Sequence, residues 1–527
     1  MKWTRRDVLK GLGGLPILGS IWWAGTANAL VKKKDRSEIL EQLKIQPSLT
    51  SALPEIGGAP IRLGIIGFGI RGEQLCRALG FATQDWLEEM KLEEETTGNT
   101  QLKEFLDQEK LNIKISAVCD VFDVRAEHVI ASFSTPEHTV KRFTTYQDMI
   151  QSGEVDAVII ATPDHWHAPM AIEALNNNVH VYVEKPMTHS IEETYELRDA
   201  AENSKALLMV GHQHRQTLSF KTANDIVKKG VLGHVSMIQT FTNRNDDNGA
   251  WNYDIHEKAN EQTIDWDLFL GSAPKIPFNK NHFFRWRKWW AYGSGLSGDL
   301  LTHDYDRLNC VLGMGIPSSI TASGGIYTHN DGRNVPDVLQ VNMEFPDFST
   351  GSSQPKGKEK GMTFTYSATL GNAFNRPTIL MGHDASMELG NNLTVWPDNG
   401  STKYAAMIEE GKMKPNVPIY HYNPGANMPD AVSSATSQYF ADKGLMWTYI
   451  DGVRVNSTFL HLREWLSCIR NGGILSCGIK EGFEEAISAH ITGLAYKLGR
   501  RIEWDREQQL IVPIEGINFD EVLLSST

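Results

Sequence analysis

Hydrophobic positions change character twice along this chain. Between Ile61 and Pro186, short apolar runs alternate with helix-like segments: IRLGIIGFG (61–69), ISAVCDV (115–121), DAVIIAT (156–162) and VHVYVEKP (179–186). Near-continuous apolar runs fit strands buried on both faces. Helical stretches between them predict a parallel, doubly wound sheet. The stretch from Phe81 to Leu111 is long and acidic, and reads as an extra amphipathic helical excursion between the first two strands. Past Pro186, residues 191–204 read as a helix and ALLMVGHQH (206–214) as another short strand. From Val235 the pattern becomes alternating, as in VLQVNMEF (338–345) and MTFTYSATL (362–370). Alternation predicts antiparallel strands with one solvated face. STGSSQPKGKEKG (349–361), between those two strands, reads as a flexible hairpin tip. Residues 455–500 return to helical spacing. The division expected is an α/β domain over 61–187, an α+β domain over 188–505, and a tail over 506–527.

The first 60 residues follow neither pattern. Lys2, Arg5, Arg6 and Lys10 flank the start of a short apolar run, residues 11–24, and Ala27-Asn28-Ala29 offers small residues for cleavage. The run is shorter than the roughly 20 residues a membrane span needs. Residues 1–29 therefore read as a twin-arginine export signal rather than an anchor, which predicts a periplasmic protein. Residues 30–60 read as an arm or linker. No later stretch is apolar enough to span, so no transmembrane segment is expected in the mature chain.

Composition narrows the partners. The 527-residue chain carries a net charge of −13. Residues 1–29 hold four basic side chains and one acidic, so their removal leaves −16. An acidic balance without basic tracts argues against a nucleic-acid partner. Five cysteines are too few for a disulfide framework. Cys76 and Cys119 fall in core elements. Cys468 and Cys477 either pair or stay free thiols.

GFGIRG (67–72) follows a strand and opens a helix, the context in which G-x-G-x-x-G binds a dinucleotide. Gly67 makes the tight turn, Gly69 admits the pyrophosphate, and Gly72 lets helix and strand pack closely. Phe68, Ile70 and Arg71 complete the loop at the helix N-terminus, where free N–H groups attract phosphate. Asp120 ends the second strand, where a carboxylate accepts hydrogen bonds from ribose hydroxyls and repels a 2′-phosphate. NAD is thus favoured; nearby Arg125 keeps NADP open as the alternative. A plain helix-capping role for Asp120 is the other reading.

TPDHWHAPMAIEAL (162–175) followed by VHVYVEKP resembles the Gfo/Idh/MocA oxidoreductases, named for glucose–fructose oxidoreductase and inositol dehydrogenase. GSGLSGDLLTHDYD (293–306) resembles that family's second signature, an aspartate, three residues, then a histidine. CIRNGGILSCGIKEG through GRRIEWD also resembles secreted members. The resemblance spans Ile61 to about Asp505. It implies a Rossmann domain followed by a domain with a large, mostly antiparallel open sheet that commonly mediates dimers or tetramers. It places Thr162, Pro163, His165 and His167 along the cofactor, and Glu184 and Lys185 beside the nicotinamide. Asp299 and His303 would reach in from the second domain.

The residue chemistry agrees with such a site. Lys185 at a buried strand end can serve as acid or base and steady a developing alkoxide. An ordinary ion pair with Glu184 is its bland alternative. Asp299 and His303, four apart, share a face if helical, with Asp306 three further on. His303 can take a hydroxyl proton near neutral pH. These are also ligand-type side chains, but no metal is expected because nicotinamide chemistry needs none. His212 or His214 in GHQHR (211–215) can border the cleft or lie in a loop. HFFRWRKWWAYG (282–293) is dense in aromatics, and flat rings beside Arg and Lys suit a sugar; core packing or a subunit contact is the other reading. Trp286, Trp290, Tyr292 and Thr302 are the substrate-side candidates, with Lys185, Asp299 and His303.

Three functions follow. The favoured one is an exported nicotinamide-dependent oxidoreductase acting on a sugar, glycoside or polyol, its tightly bound NAD recycled within each cycle. The second is an NAD-dependent glycosidase, as in the family's α-N-acetylgalactosaminidases. In that subgroup a tyrosine precedes the active-site histidine by three and the EKP lysine tends to be missing; here Leu300 takes the first position and Lys185 is present. The third is a non-catalytic sugar or cofactor binder, favoured if Lys185 and His303 face away from the glycine loop.

Overall fold

The computed structural model describes Leu43 and residues 57–350, 360–390, 392–422, 447–450 and 453–525. The expected export signal, most of the expected arm and most of the expected hairpin tip lie outside the described residues. Six parallel strands form the first sheet: β1 (Ile61–Ile66), β2 (Ile113–Cys119), β3 (Lys141–Arg142), β4 (Ala157–Ile160), β5 (His180–Val183) and β6 (Leu208–Val210). Their order is β3-β2-β1-β4-β5-β6, so the direction of winding reverses between β1 and β4. At such a reversal the crevice beyond the strands' carboxyl ends stays open for a ligand. The apolar runs do what the pattern implied: β1 and β4 are almost wholly buried. β6 joins this sheet, so it continues past residue 187, the expected domain boundary. β3, two exposed residues long, carried no hydrophobic signal.

Helix α1 (Ile70–Ala78) follows the glycine loop. The acidic excursion is helical, as α2 (Gln84–Thr97) and α3 (Gln101–Leu106). Only Met90 of these two helices is buried, which explains why the segment can be so charged. α4 (Asp123–Phe133) follows β2, and α5 (His167–Asn176) joins β4 to β5.

The second sheet has ten strands. Its core is the parallel pair β7 (Val235–Asn243) and β10 (Met362–Thr369), with β8 (Ser319–Gly325) and β9 (Val338–Phe345) antiparallel beyond β10. β11 (Thr378–Gly382), β12 (Ala385–Leu389), β13 (Leu393–Pro397) and β14 (Tyr420–Tyr422) extend it on the other side, all antiparallel. A separate hairpin pairs β15 (Trp447–Ile450) with β16 (Val453–Asn456), and β17 (Ile502–Asp505) and β18 (Leu510–Ile511) close the far edge of the large sheet. β9 alternates between buried and more exposed positions, as expected of a sheet covered on one face. The covering layer includes α6 (Thr302–Leu312) and α8 (Ile479–Leu498).

One helix departs from the linear division. α7 (Ser457–Asn471) lies within the second stretch of sequence, yet Leu462, Trp465 and Leu466 pack with Ile65, Tyr182 and Met209 of the first sheet. The chain returns nearly 400 residues later to cover one face of β1. Its cysteines bear on an open point: Cys468 and Cys477 are both free and buried, so they do not pair.

Candidate functional site

A cleft of about 950 Å³ opens at the carboxyl ends of β1, β2 and β4 and is walled on its other side by the second domain. The glycine loop forms its floor. Gly67 has φ +85°, and a Cβ there would lie 2.8 Å from the Ala161 carbonyl oxygen. A Cβ on Gly72 would overlap the Gly67 carbonyl oxygen. Both positions therefore require glycine, and α1 opens directly onto the cleft with no side-chain cap on its free N–H groups. Gly69, Ile70 and Arg71 line the cleft, whereas Phe68 turns inward against Phe133.

Asp120 also lines it. Its Oδ2 accepts from the Phe68 N–H at 2.7 Å and its Oδ1 from the Phe122 N–H at 2.8 Å. The carboxylate thus fixes the loop and the turn before α4, and each oxygen keeps a second lone pair. Arg125 faces the same corner, its guanidinium carbon 5.5–5.7 Å from the ring centres of Phe122, Phe283 and Phe284. Backbone cradle, open helix terminus and acceptor at the strand end together fit an adenine dinucleotide.

Thr162, Pro163 and His167 line the path away from the loop. His167 is tied at both nitrogens, Nδ1 to Pro186 O at 2.7 Å and Nε2 to Thr162 O at 2.9 Å, so it braces the turn. His165 does not line the cleft. It is buried among Phe269, Tyr292 and His189, and burial with the His189 neighbour pulls its pKa down to about 3.

The catalytic candidates converge. Lys185 and His303, 118 positions apart in sequence, line the same cleft as the glycine loop. Glu184 pairs with Arg71 at 2.6 Å, so Lys185 is not its partner. Lys185 Nζ instead reaches across the domains and donates to Asp299 Oδ1 at 3.0 Å and to the Asp299 carbonyl at 2.7 Å. Residues Ser297–Leu301 form one π-helical turn ahead of α6, and such a turn releases backbone carbonyls from the regular helical ladder.

Asp299 itself stands behind Lys185 and does not line the cleft. Arg287 Nε also donates to its Oδ1, at 3.1 Å, and the Trp251 indole N–H donates to its Oδ2, at 2.9 Å. Burial opposes its ionisation, but the charges of Lys185, Arg287 and Arg244 outweigh it and hold the carboxyl far below the usual range. Trp251 has φ +65°, a left-handed conformation costing roughly 1–3 kcal/mol in a bulky residue. That cost is borne where the indole meets Asp299.

His303 is half-buried at the cleft edge, and its enclosed Nδ1 has no hydrogen-bond partner among the described residues. Burial, then the Lys185, His214 and His212 charges, lowers its pKa well below the ordinary value, so it is neutral. His214 lines the cleft; His212 does not. His212 lies between the buried Asp306 and Glu485, at 3.7 and 3.3 Å, which raise its pKa against the effect of burial. Asp306 also holds Arg215, so it belongs to this buried network rather than to the site.

Of the aromatic run, Trp286, Phe283 and Phe284 line the cleft. Trp290 and Tyr292 do not. Trp290 is buried beneath Lys497, whose Nζ is 4.2 Å from the ring, and Tyr292 packs on Phe269. Thr302 is buried, its hydroxyl donating to Gly298 O within the helix. Sequence reasoning missed Arg244, Tyr253, Arg307 and Trp251. Arg244, Tyr253 and Trp251 come from loops without any motif and gather near Asp299 only in the fold, while Arg307 follows the Asp/His signature on α6 and pairs with Asp304.

The residues 244–292 also fold over the first domain. Phe122 and Ile264 form an antiparallel bridge, the Asp265 N–H donates to Val121 O, and the Trp166 indole N–H donates to Phe269 O. Both the ribose corner and the Pro163 corner are thereby roofed. Among the described residues no group of side chains could hold a metal ion, and no helix is long and apolar enough to cross a membrane.

Comparison with known proteins agrees with this geometry. Residues 61–212 match the model of an oxidoreductase family's NAD-binding Rossmann fold, and residues 225–500 match the same family's C-terminal alpha/beta domain. A "Glycosyl hydrolase family 109 protein" of Shewanella woodyi is 32% identical over 128 residues, which cover 23% of this chain and 27% of that protein. The chain thus matches about a quarter of that relative's length. A levoglucosan dehydrogenase in complex with NADH superposes with a TM-score of 0.53 at 15% identity, over 86% of this chain and 99% of that one. The aldose–aldose oxidoreductase of Caulobacter crescentus gives 0.53 at 15% identity, over 84% and 99%. At these identities the superpositions establish the fold. The chain belongs to the Gfo/Idh/MocA family of NAD-binding oxidoreductases.

Proposed function

We propose that this protein is an exported oxidoreductase that acts on a hydroxyl-bearing carbon of a sugar, glycoside or polyol and retains its NAD through the catalytic cycle. The observation that carries the reading is the meeting of Lys185 and His303 in the cleft floored by the glycine loop. When bound there, NAD supplies the hydride acceptor and donor. The protein's task is to position one carbon and manage one proton. Neutral His303 accepts the hydroxyl proton. The Lys185 ammonium, held by Asp299, steadies the oxygen as negative charge develops. Trp286 and Tyr253 offer flat faces to the sugar. A binder without catalysis is disfavoured because both candidate groups face the loop.

Retention of NAD is supported by residues 244–292, which pack over the ribose corner and the Pro163 corner of the cleft. Export follows from the twin arginines, and a folded, loaded enzyme suits that route. The open face of the large sheet is the expected dimer or tetramer surface.

A redox-neutral glycosidase is the second reading, favoured by the Shewanella woodyi match. Leu300 and Lys185 both line the cleft, and these are the two positions where the glycosidase subgroup differs. The test is purification without added cofactor, followed by a nicotinamide absorbance spectrum before and after sugars are added. Absorbance that is present and changes supports the oxidoreductase; absence of bound or bindable cofactor ends both enzymatic readings. Release of nitrophenol from a p-nitrophenyl glycoside without net reduced cofactor would favour the glycosidase.

A further inference from the structure

We propose that the sugar substrate carries a carboxylate, as in a uronic acid, and that Arg244 and Arg287 hold it. The proposal rests on the reading that the cleft takes a sugar, and it names the class.

Arg244 follows β7, anchored by its backbone N–H to Thr369 O at 2.9 Å, and its side chain lines the cleft. That guanidinium has no hydrogen bond or ion pair among the described residues. Three other arginines are paired: Arg71 with Glu184, Arg215 with Asp306, Arg333 with Asp331. Arg287 uses only its Nε, on Asp299. Its guanidinium carbon lies 4.2 Å from the Trp286 ring centre and 5.9 Å from that of Tyr253. The stacked ring fixes its plane, and its two terminal nitrogens have no hydrogen-bond partner among the described residues.

The neighbouring carboxylates are bonded to other donors. Asp299 already accepts at both oxygens. Asp304 accepts from Arg307 and from the hydroxyls of Thr240 and Thr242. Asp164 accepts from the Ser294 N–H. Lys185, Arg244, Arg287 and Arg307 are thus four cations beside three engaged carboxylates. The further carboxylates, Asp246 beside the Arg244 stem and Asp254 at the rim, are exposed to solvent and bond neither guanidinium. A neutral sugar would draw these guanidinium groups away from water without a bonded counter-charge, which is costly. A planar carboxylate matches the paired N–H groups of a guanidinium and supplies the charge. Trp286 and Tyr253 stand beside Arg287, where a sugar ring bearing that group would stack.

The experiment uses the NAD-loaded full chain. Binding of D-glucuronate and D-galacturonate is measured by calorimetry against D-glucose and D-galactose, alongside nicotinamide absorbance. Each uronate is expected to bind at least tenfold more tightly than its neutral partner, and Arg244→Gln is expected to erase that difference while the NAD spectrum is retained. Because the Arg244 side chain makes no hydrogen bond, the variant should fold; its melting temperature checks this. Equal affinity for the two members of each pair, or an unchanged preference in Arg244→Gln, would overturn the proposal. Equal affinities together with an absorbance change on adding neutral sugars would overturn it while leaving the oxidoreductase reading intact. Uronate binding with no absorbance change for any sugar would instead support the anionic site and count against oxidation.

Discussion

The two walls of the cleft are built by opposite means. The first-domain wall is mostly backbone: two glycines that admit no Cβ, the free N–H groups of α1, and one aspartate bonded to neighbouring amides. The second-domain wall is mostly charged side chains drawn from distant segments, Arg244, Arg287 and Arg307 among them, and behind it Asp299, held by Trp251 and Arg287, immobilises Lys185 of the opposite wall. A dinucleotide presents the same phosphates and ribose to every member of a fold, so a local backbone shape suffices. A substrate differs among members, and convergent side chains can be exchanged without rebuilding the scaffold.

The sharpest way to break this division is Lys185→Ala. Turnover should fall by roughly 10²–10⁴-fold, while NAD occupancy, read by native mass spectrometry, stays at the wild-type level. Loss of NAD along with turnover would mean that the walls are not separable. Next in size is Trp465→Ala. Trp465 lies in α7 yet is fully buried against the first sheet. Emptying that site should cost about 3–5 kcal/mol in denaturant unfolding. A loss below about 1 kcal/mol would show that α7 is not part of the first domain's core.

Gly72→Ala probes the backbone wall alone. The added Cβ overlaps the Gly67 carbonyl, so the loop must shift, at about 1–3 kcal/mol. NAD affinity should fall roughly tenfold or more, with sugar binding to the remaining loaded fraction unaltered. The smallest effect is a pH slope. His165 and His490 are neutral in the fold, their pKa values drawn down to about 3 by burial. Unfolded histidines titrate near 6.5. Between pH 6.5 and 3 the unfolded chain therefore binds more protons than the native one, and stability falls as pH falls. Each of these histidines contributes at most about 1.4 kcal/mol per pH unit. His212, with its raised pKa, works in the opposite sense. Stability measured by urea unfolding should be flat from pH 7 to 8 if these groups dominate, and drop below 6.

Several site residues were legible because their chemistry is local. GFGIRG, Asp120 and the EKP turn are short strings whose role depends on neighbours within a few residues. His212 and His214 show the limit: two positions apart in one turn, one enters a buried ion network and the other faces the cleft. Trp286 and Trp290 divide in the same way, one to the cleft and one to the core. Spacing alone could not separate them, because Trp290 meets Tyr496 of α8, whereas Trp286 stacks with Arg287 at the cleft.

The sequence by itself determined the parallel sheet, the glycine cradle and the acceptor at the end of β2, since strand burial and loop conformation follow from nearby residues. Only the tertiary structure decided that Lys185 bonds Asp299 rather than Glu184, that Asp299 is withdrawn from the cleft, and that Arg244 faces it unpaired. Those outcomes depend on contacts across dozens to hundreds of residues, where charge pairing and desolvation are settled by packing and leave no periodic trace in the chain.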